Sequence, residues 1–204
     1  MTFHHPSDQS IFAYANGSLG RPLALVLGAH LEGCAQCRGT LAVSETLGGI
    51  LLEAQPPAEM SPDAFSDLWT RLEESAARPQ AETRKEGVVL PFALRHPGAR
   101  RWLAPGIWVR PILKDRAAGT RAYLLGAAPG KVLPRHRHKG LEMTQVLEGE
   151  FFDGGTRYGA GDFLEAGDEV EHSLRVGADR ECICVIASEG VPSGLPGLVM
   201  RLIA

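Results

Sequence analysis

Apolar residues recur at helical spacing in the first third of the chain and alternate in its second half, so two structural regimes follow one another. Ser7-Asp8 ahead of Ile11, Phe12, Tyr14 and Ala15 predicts a capped, short amphipathic helix that ends between Gly17 and Gly20. Arg21-Pro22 opens a second helix, whose Leu23, Leu25, Val26, Leu27 and Leu31 make it apolar over much of its circumference. Such a helix is either buried or covered by a partner. Gly33 interrupts, and a third helix is expected from Cys34 to Glu53, with Leu41, Val43, Leu47, Ile50, Leu51 and Leu52 on its apolar faces and Gln55-Pro56-Pro57 ending it. Ser61-Pro62-Asp63 then starts a fourth through Phe65, Leu68, Trp69 and Leu72.

From Glu74 to Gly87 large apolar residues are absent, which predicts a linker. Beyond it, short β-type runs are separated by Gly, Pro and Asp: 88–90, 102–109, 121–125, 143–147, 149–152, 162–164 and 183–187. Seven or more strands at this spacing predict a closed or sandwich-like barrel. The expected division is a helical domain over residues 1–80, a linker over 74–87, a β-barrel over 88–195 and a tail over 196–204. The fold class is α+β, with the α and β parts as separate domains.

Charge separates the same two regions. Residues 1–87 hold 6 Lys/Arg against 11 Asp/Glu, a formal −5, and residues 88–204 hold 15 against 13, a formal +2. The acidic front region is poorly suited to phosphate contacts, which argues against direct nucleic-acid binding, but it suits a basic protein partner. No run of eighteen apolar residues and no signal-peptide pattern is present, so no membrane role and a cytoplasmic location are expected. The four cysteines form close pairs, Cys34/Cys37 and Cys182/Cys184, unlike a disulfide framework. Cys182 and Cys184 share one side of a strand, which puts them either beside a metal held in the barrel or, the favoured reading, in the core as small residues.

Candidate metal ligands cluster twice. His136, His138 and Glu142 lie within seven residues, and in an extended strand the two histidines point the same way, with Glu142 returning after a turn at Lys139-Gly140. Imidazole and carboxylate together suit a divalent metal. In the helical part, His30, Cys34 and Cys37 fall within two turns of backbone, and thiolate with imidazole favours zinc. A fourth ligand is needed there, and spacing alone leaves both His4 and His5 eligible.

The pattern G-x5-H-x-H-x3-E-x6-G from Gly130 to Gly149 resembles the first motif of the cupin superfamily, and Gly159 to His172 resembles the second. That resemblance implies a cupin barrel with a metal, zinc or another divalent ion such as Mn, Fe or Ni, at His136, His138, Glu142 and His172. Two departures accompany it: Glu165 stands where cupins usually have proline, and two extra residues separate Gly167 from His172. With the helical cluster added, nearly the whole chain is similar to the ChrR-type zinc-binding anti-sigma factors. This similarity implies His5 rather than His4 as the fourth zinc ligand beside His30, Cys34 and Cys37. It also implies a regulator and not an enzyme. The helical domain would sequester an extracytoplasmic-function sigma factor and the cupin would sense oxidative stress such as singlet oxygen, with a cytoplasmic protease as a further partner if the oxidised barrel is a handle for proteolysis.

The competing reading is a metal-dependent cupin dioxygenase or isomerase with an accessory helical domain, since three imidazoles and a carboxylate with an open position can activate oxygen or bind an enediol. Against it, no substrate-clamping set stands out beyond the ligands. A zinc-stabilised DNA-binding repressor is disfavoured by the acidic head.

Overall fold

Four helices come first: α1 (Asp8–Ala15), α2 (Arg21–Gly33), α3 (Ala35–Glu53) and α4 (Ala64–Ala76). The structure is a computed structural model, and it describes residues 4–76, 99–137, 139–168 and 171–190. Ser7 caps α1, its side-chain oxygen accepting from Ser10 N–H at 3.2 Å. Pro22 sits in the first turn of α2, where its missing N–H has no cost. No helix among the described residues is long and apolar enough to cross a membrane.

The described residues of the second half form antiparallel β-strands: β1 (Arg101–Ala104), β2 (Ile107–Asp115), β3 (Thr120–Ala127), β4 (His136–Arg137), β5 (Glu142–Glu148), β6 (Glu150–Asp153), β7 (Thr156–Gly159), β8 (Phe163–Ala166), β9 (Glu171–His172), β10 (Leu174–Val176) and β11 (Cys182–Glu189). A six-stranded sheet runs in the order β1-β2-β3-β11-β5-β8, a three-stranded sheet in the order β10-β6-β7, and β4 pairs with β9. The sheets form the sandwich of a cupin-like fold, as the resemblance implied. At Gly149, between β5 and β6, φ is +71° and an added Cβ would run into the carbonyl of Glu181, so the glycine closing the first motif is required by the turn.

Alternation along the large sheet divides the core in two. Val109, Tyr123, Val146, Cys184 and Ile186 point between the sheets with Phe151, Leu174 and Val176. Trp108, Ala122, Leu124, Met143, Val185 and Ala187 point to the opposite face, where they join Leu23, Val26, Leu27 and Leu31 of α2 in one cluster. The apolar circumference of α2 is therefore buried on the outer face of the sheet, against β2, β3, β5 and β11.

This packing divides the chain differently from a self-contained helical domain over 1–80. One compact unit combines Met1–Thr46 with Leu90–Ala204, and a second comprises Leu47–Val89. The physical reason is α2, which has no comparable apolar partner among the helices and finds one on the sheet. In the second unit, Leu47, Ile50, Leu51 and Leu52 of α3 and Phe65, Leu68, Trp69 and Leu72 of α4 are all exposed.

The expected strand over 102–109 is two strands, β1 and β2, joined at Gly106, whose φ of +78° reverses the chain. β2 continues to Asp115, and β7 and β10 were not anticipated, because their alternation spans only three or four residues. The expected run 88–90, most of the linker 74–87 and the tail 196–204 lie outside the described residues.

Candidate metal centres

Three consecutive pieces of backbone bring the helical cluster together. His30 lies in the last turn of α2, Cys34 is the residue between α2 and α3, and Cys37 follows one turn into α3. The Cys34 N–H donates to His30 O at 3.0 Å, and Arg38 N–H donates to Cys34 O at 3.2 Å, so Cys34 closes one helix and opens the next. Arg38 also donates through its guanidinium to Leu31 O at 2.8 Å, bracing the corner. His5 arrives from ahead of α1. Its Nδ1 lies 3.4 Å from both Cys34 Sγ and Cys37 Sγ.

The ligand atoms of His5, His30, Cys34 and Cys37 all lie within 4.8 Å of one another, close enough for the group to hold a metal ion, and the two 3.4 Å distances from His5 match the edges of roughly 3.3–3.8 Å that zinc–ligand bonds of about 2.0–2.3 Å give. His30, Cys34 and Cys37 are buried. His30 Nε2 is buried with no hydrogen-bond partner, an atom that a metal would satisfy. Burial lowers the His30 pKa and so favours the neutral imidazole, which is the ligating form. The Cys37 thiol is pushed up to about 12, first by burial and then by the adjacent Cys34 and by Asp8. A metal taking this site must therefore displace the Cys37 thiol proton.

His4 faces elsewhere. Its ring packs on Tyr158 at a centroid distance of 4.4 Å, its N–H donates to Asp162 Oδ1 at 3.1 Å, and its carbonyl accepts from Phe163 N–H at 3.0 Å. Ser7 N–H donates to Glu165 Oε1 at 3.2 Å. The segment carrying His5 is thus tied to β8 on both sides, and Glu165, which departs from the usual cupin proline, serves as one of the ties.

In the barrel, His136 on β4 stands directly across from His172 on β9. His136 Nδ1 lies 2.9 Å from Pro134 O, an arrangement that engages one ring nitrogen with the backbone. Glu142, at the start of β5, is buried. The Tyr123 phenol is held well above its ordinary pKa by burial first and by the Glu142 charge second. His138 and the side chain of His172 lie outside the described residues. Cys182 and Cys184 are buried free thiols with sulfurs 3.7 Å apart, packed in the core between the sheets. A cavity of about 20 Å³ beside them is lined by residues such as Leu125, Thr144, Phe151 and Ile186.

Two further contacts had no signal in the sequence: Gln145 of β5 against His30, at 2.8 Å, and the Trp108 indole donating to Glu181 at 2.7 Å. Both join residues more than seventy positions apart.

Comparison with known proteins places this arrangement. Residues 93–191 match the family described as the ChrR cupin-like domain. The chain is 33% identical over 203 residues to the anti-sigma-E factor ChrR of Cereibacter sphaeroides, covering 96% of this chain and 95% of that protein. The crystal structure of Rhodobacter sphaeroides SigE in complex with the anti-sigma ChrR matches with a TM-score of 0.77 at 30% identity, covering 92% of this chain and 99% of the matched one.

Proposed function

The chain belongs to the ChrR family, and from that premise we propose that it is an anti-sigma factor whose partner is an extracytoplasmic-function sigma factor. The observation that carries the reading is α4: Phe65, Leu68, Trp69 and Leu72 recur at helical spacing, and all four are more than half exposed. An amphipathic helix with its apolar face in water is a docking element, and aromatic anchors such as Trp69 dominate binding energy at such interfaces. The acidic balance of residues 1–87 complements a basic, DNA-binding partner. Sequestering that partner in the cytoplasm, without contacting nucleic acid, completes the role.

Zinc at His5, His30, Cys34 and Cys37 would hold the α1, α2 and α3 termini together and leave their other faces unchanged. The barrel would be the sensor, with zinc or another divalent metal at His136, His138, Glu142 and His172 and oxidative stress such as singlet oxygen as the signal. Imidazole and thiolate are electron-rich and are attacked by such oxidants. Because α2 and the barrel share one core, damage to β5 or β8 reaches the zinc ligands without passing through the linker. A hundredfold loss of partner affinity on damage corresponds to about 2.7 kcal/mol.

The enzyme reading has less support. The relative matched over 96% of this chain is a regulator.

The test is purification of the full chain from its native cell, with mass spectrometry of what accompanies it and transcription assays with the recovered sigma factor. A stoichiometric sigma factor whose transcription the chain represses is the expected result. In cells, Glu142→Ala should keep repression and lose induction by singlet oxygen. No sigma factor, together with turnover of a small organic acid or sugar, would reverse the assignment.

A further inference from the structure

We infer that Gln145 is a positioning residue for the helical zinc site: it holds the His30 ring so that Nε2 is the ligating atom, and thereby makes strand β5 of the barrel part of that site. The inference rests on His30 being a metal ligand, and not on the identity of the protein partner.

The hydrogen bonds of Gln145 favour one tautomer of His30. Gln145 is buried, and its side-chain Nε2 donates to Val146 O at 3.0 Å. A backbone carbonyl only accepts, so the amide nitrogen is fixed on that side and Oε1 faces His30 Nδ1 at 2.8 Å. An amide oxygen also only accepts, so His30 Nδ1 carries the hydrogen. In the neutral ring Nε2 is then a bare lone pair, and it is the buried atom without a partner beside Cys34 and Cys37. Phe163 packs edge-on to the same ring at 5.2 Å and resists rotation about χ2.

The strand alternation adds a consequence. Gln145 and Met143 of β5 face the helices, while Thr144 and Val146 face the space between the sheets. Glu142 shares the parity of Thr144, three residues before Gln145, so one short strand carries a barrel ligand candidate on one face and the outer partner of a helical ligand on the other. Outer partners of metal-bound imidazoles typically contribute about 10–100-fold in metal affinity.

Two measurements on the full zinc-loaded chain test this. Long-range 1H–15N spectra of labelled histidine read the tautomer of the unmodified protein directly. Expected is a proton on His30 Nδ1 with a metal-shifted Nε2, and a metal-bound Nδ1 would overturn the inference whether or not any variant folds. Chelator competition then compares the wild type with Gln145→Glu and Gln145→Leu, the zinc lost in Cys34→Ala identifying the helical site. The Leu variant should release that zinc about 10–100-fold more readily. The Glu variant, which keeps an acceptor, should stay within a few-fold of wild type. Equal retention by wild type and the Leu variant would refute the role. Neither readout involves a sigma factor, so failure here is distinguishable from failure of the anti-sigma reading.

Discussion

Helices α2 and α4 are each 13 residues long and carry apolar residues at helical spacing, yet their environments are opposite. Leu23, Val26 and Leu27 of α2 are at most 1% exposed on the outer face of the barrel sheet, while Phe65 of α4 is 73% exposed. The difference teaches that apolar surface on a helix has two uses, packing and recognition. Only the first contributes to the stability of the chain itself.

The sharpest way to break this comparison is to strip the α4 face. Leu68→Asp combined with Trp69→Ala is expected to weaken sigma-factor binding about a thousandfold, or roughly 4 kcal/mol, with the thermal midpoint of the free protein unchanged. Calorimetric titration and melting of the same sample check both halves. Unaltered affinity, or a large fall in the midpoint, would mean that α4 packs rather than recognises.

The reciprocal change is Leu27→Ala in α2, which removes a fully buried side chain between helix and sheet. A loss of about 2–5 kcal/mol in denaturant unfolding is expected, because a cavity opens where the sheet cannot follow. Affinity for the partner, measured where the variant remains folded, should move little. A smaller change, Ser7→Ala, removes the cap of α1 and its bond to Ser10, for about 1 kcal/mol. The least is expected from Val43→Ala: Val43 lies on α3 within the barrel-packed unit yet is 72% exposed. Its unfolding free energy should stay within about 0.5 kcal/mol of wild type, and a greater loss would show that the stretch of α3 before Leu47 is packed rather than displayed.

The legibility of the metal centres follows the same division between local and distant. His30, Cys34 and Cys37 could be read together because a helix end and one further turn bring them close whatever surrounds them. His136, His138 and Glu142 were readable as a set from strand periodicity and one turn. Between His4 and His5 spacing was silent. The structure separates them by tying the His4 backbone to Asp162 and Phe163, which leaves His5 Nδ1 3.4 Å from each of the two sulfurs. Glu165, read only as a departure from a motif, holds Ser7 N–H two residues beyond the same histidine.

The amino-acid sequence by itself determined the helices, most of the strands, the spacings of the candidate metal ligands and the apolar surfaces of α2 and α4, because each depends on residues within a turn or two of one another. Only the tertiary structure decided which apolar face is buried, which histidine turns toward the thiols, and that Gln145 touches His30 across 115 positions. Those outcomes depend on what a sheet assembled from distant strands presents opposite each side chain, and a local pattern carries no information about the surface it will meet.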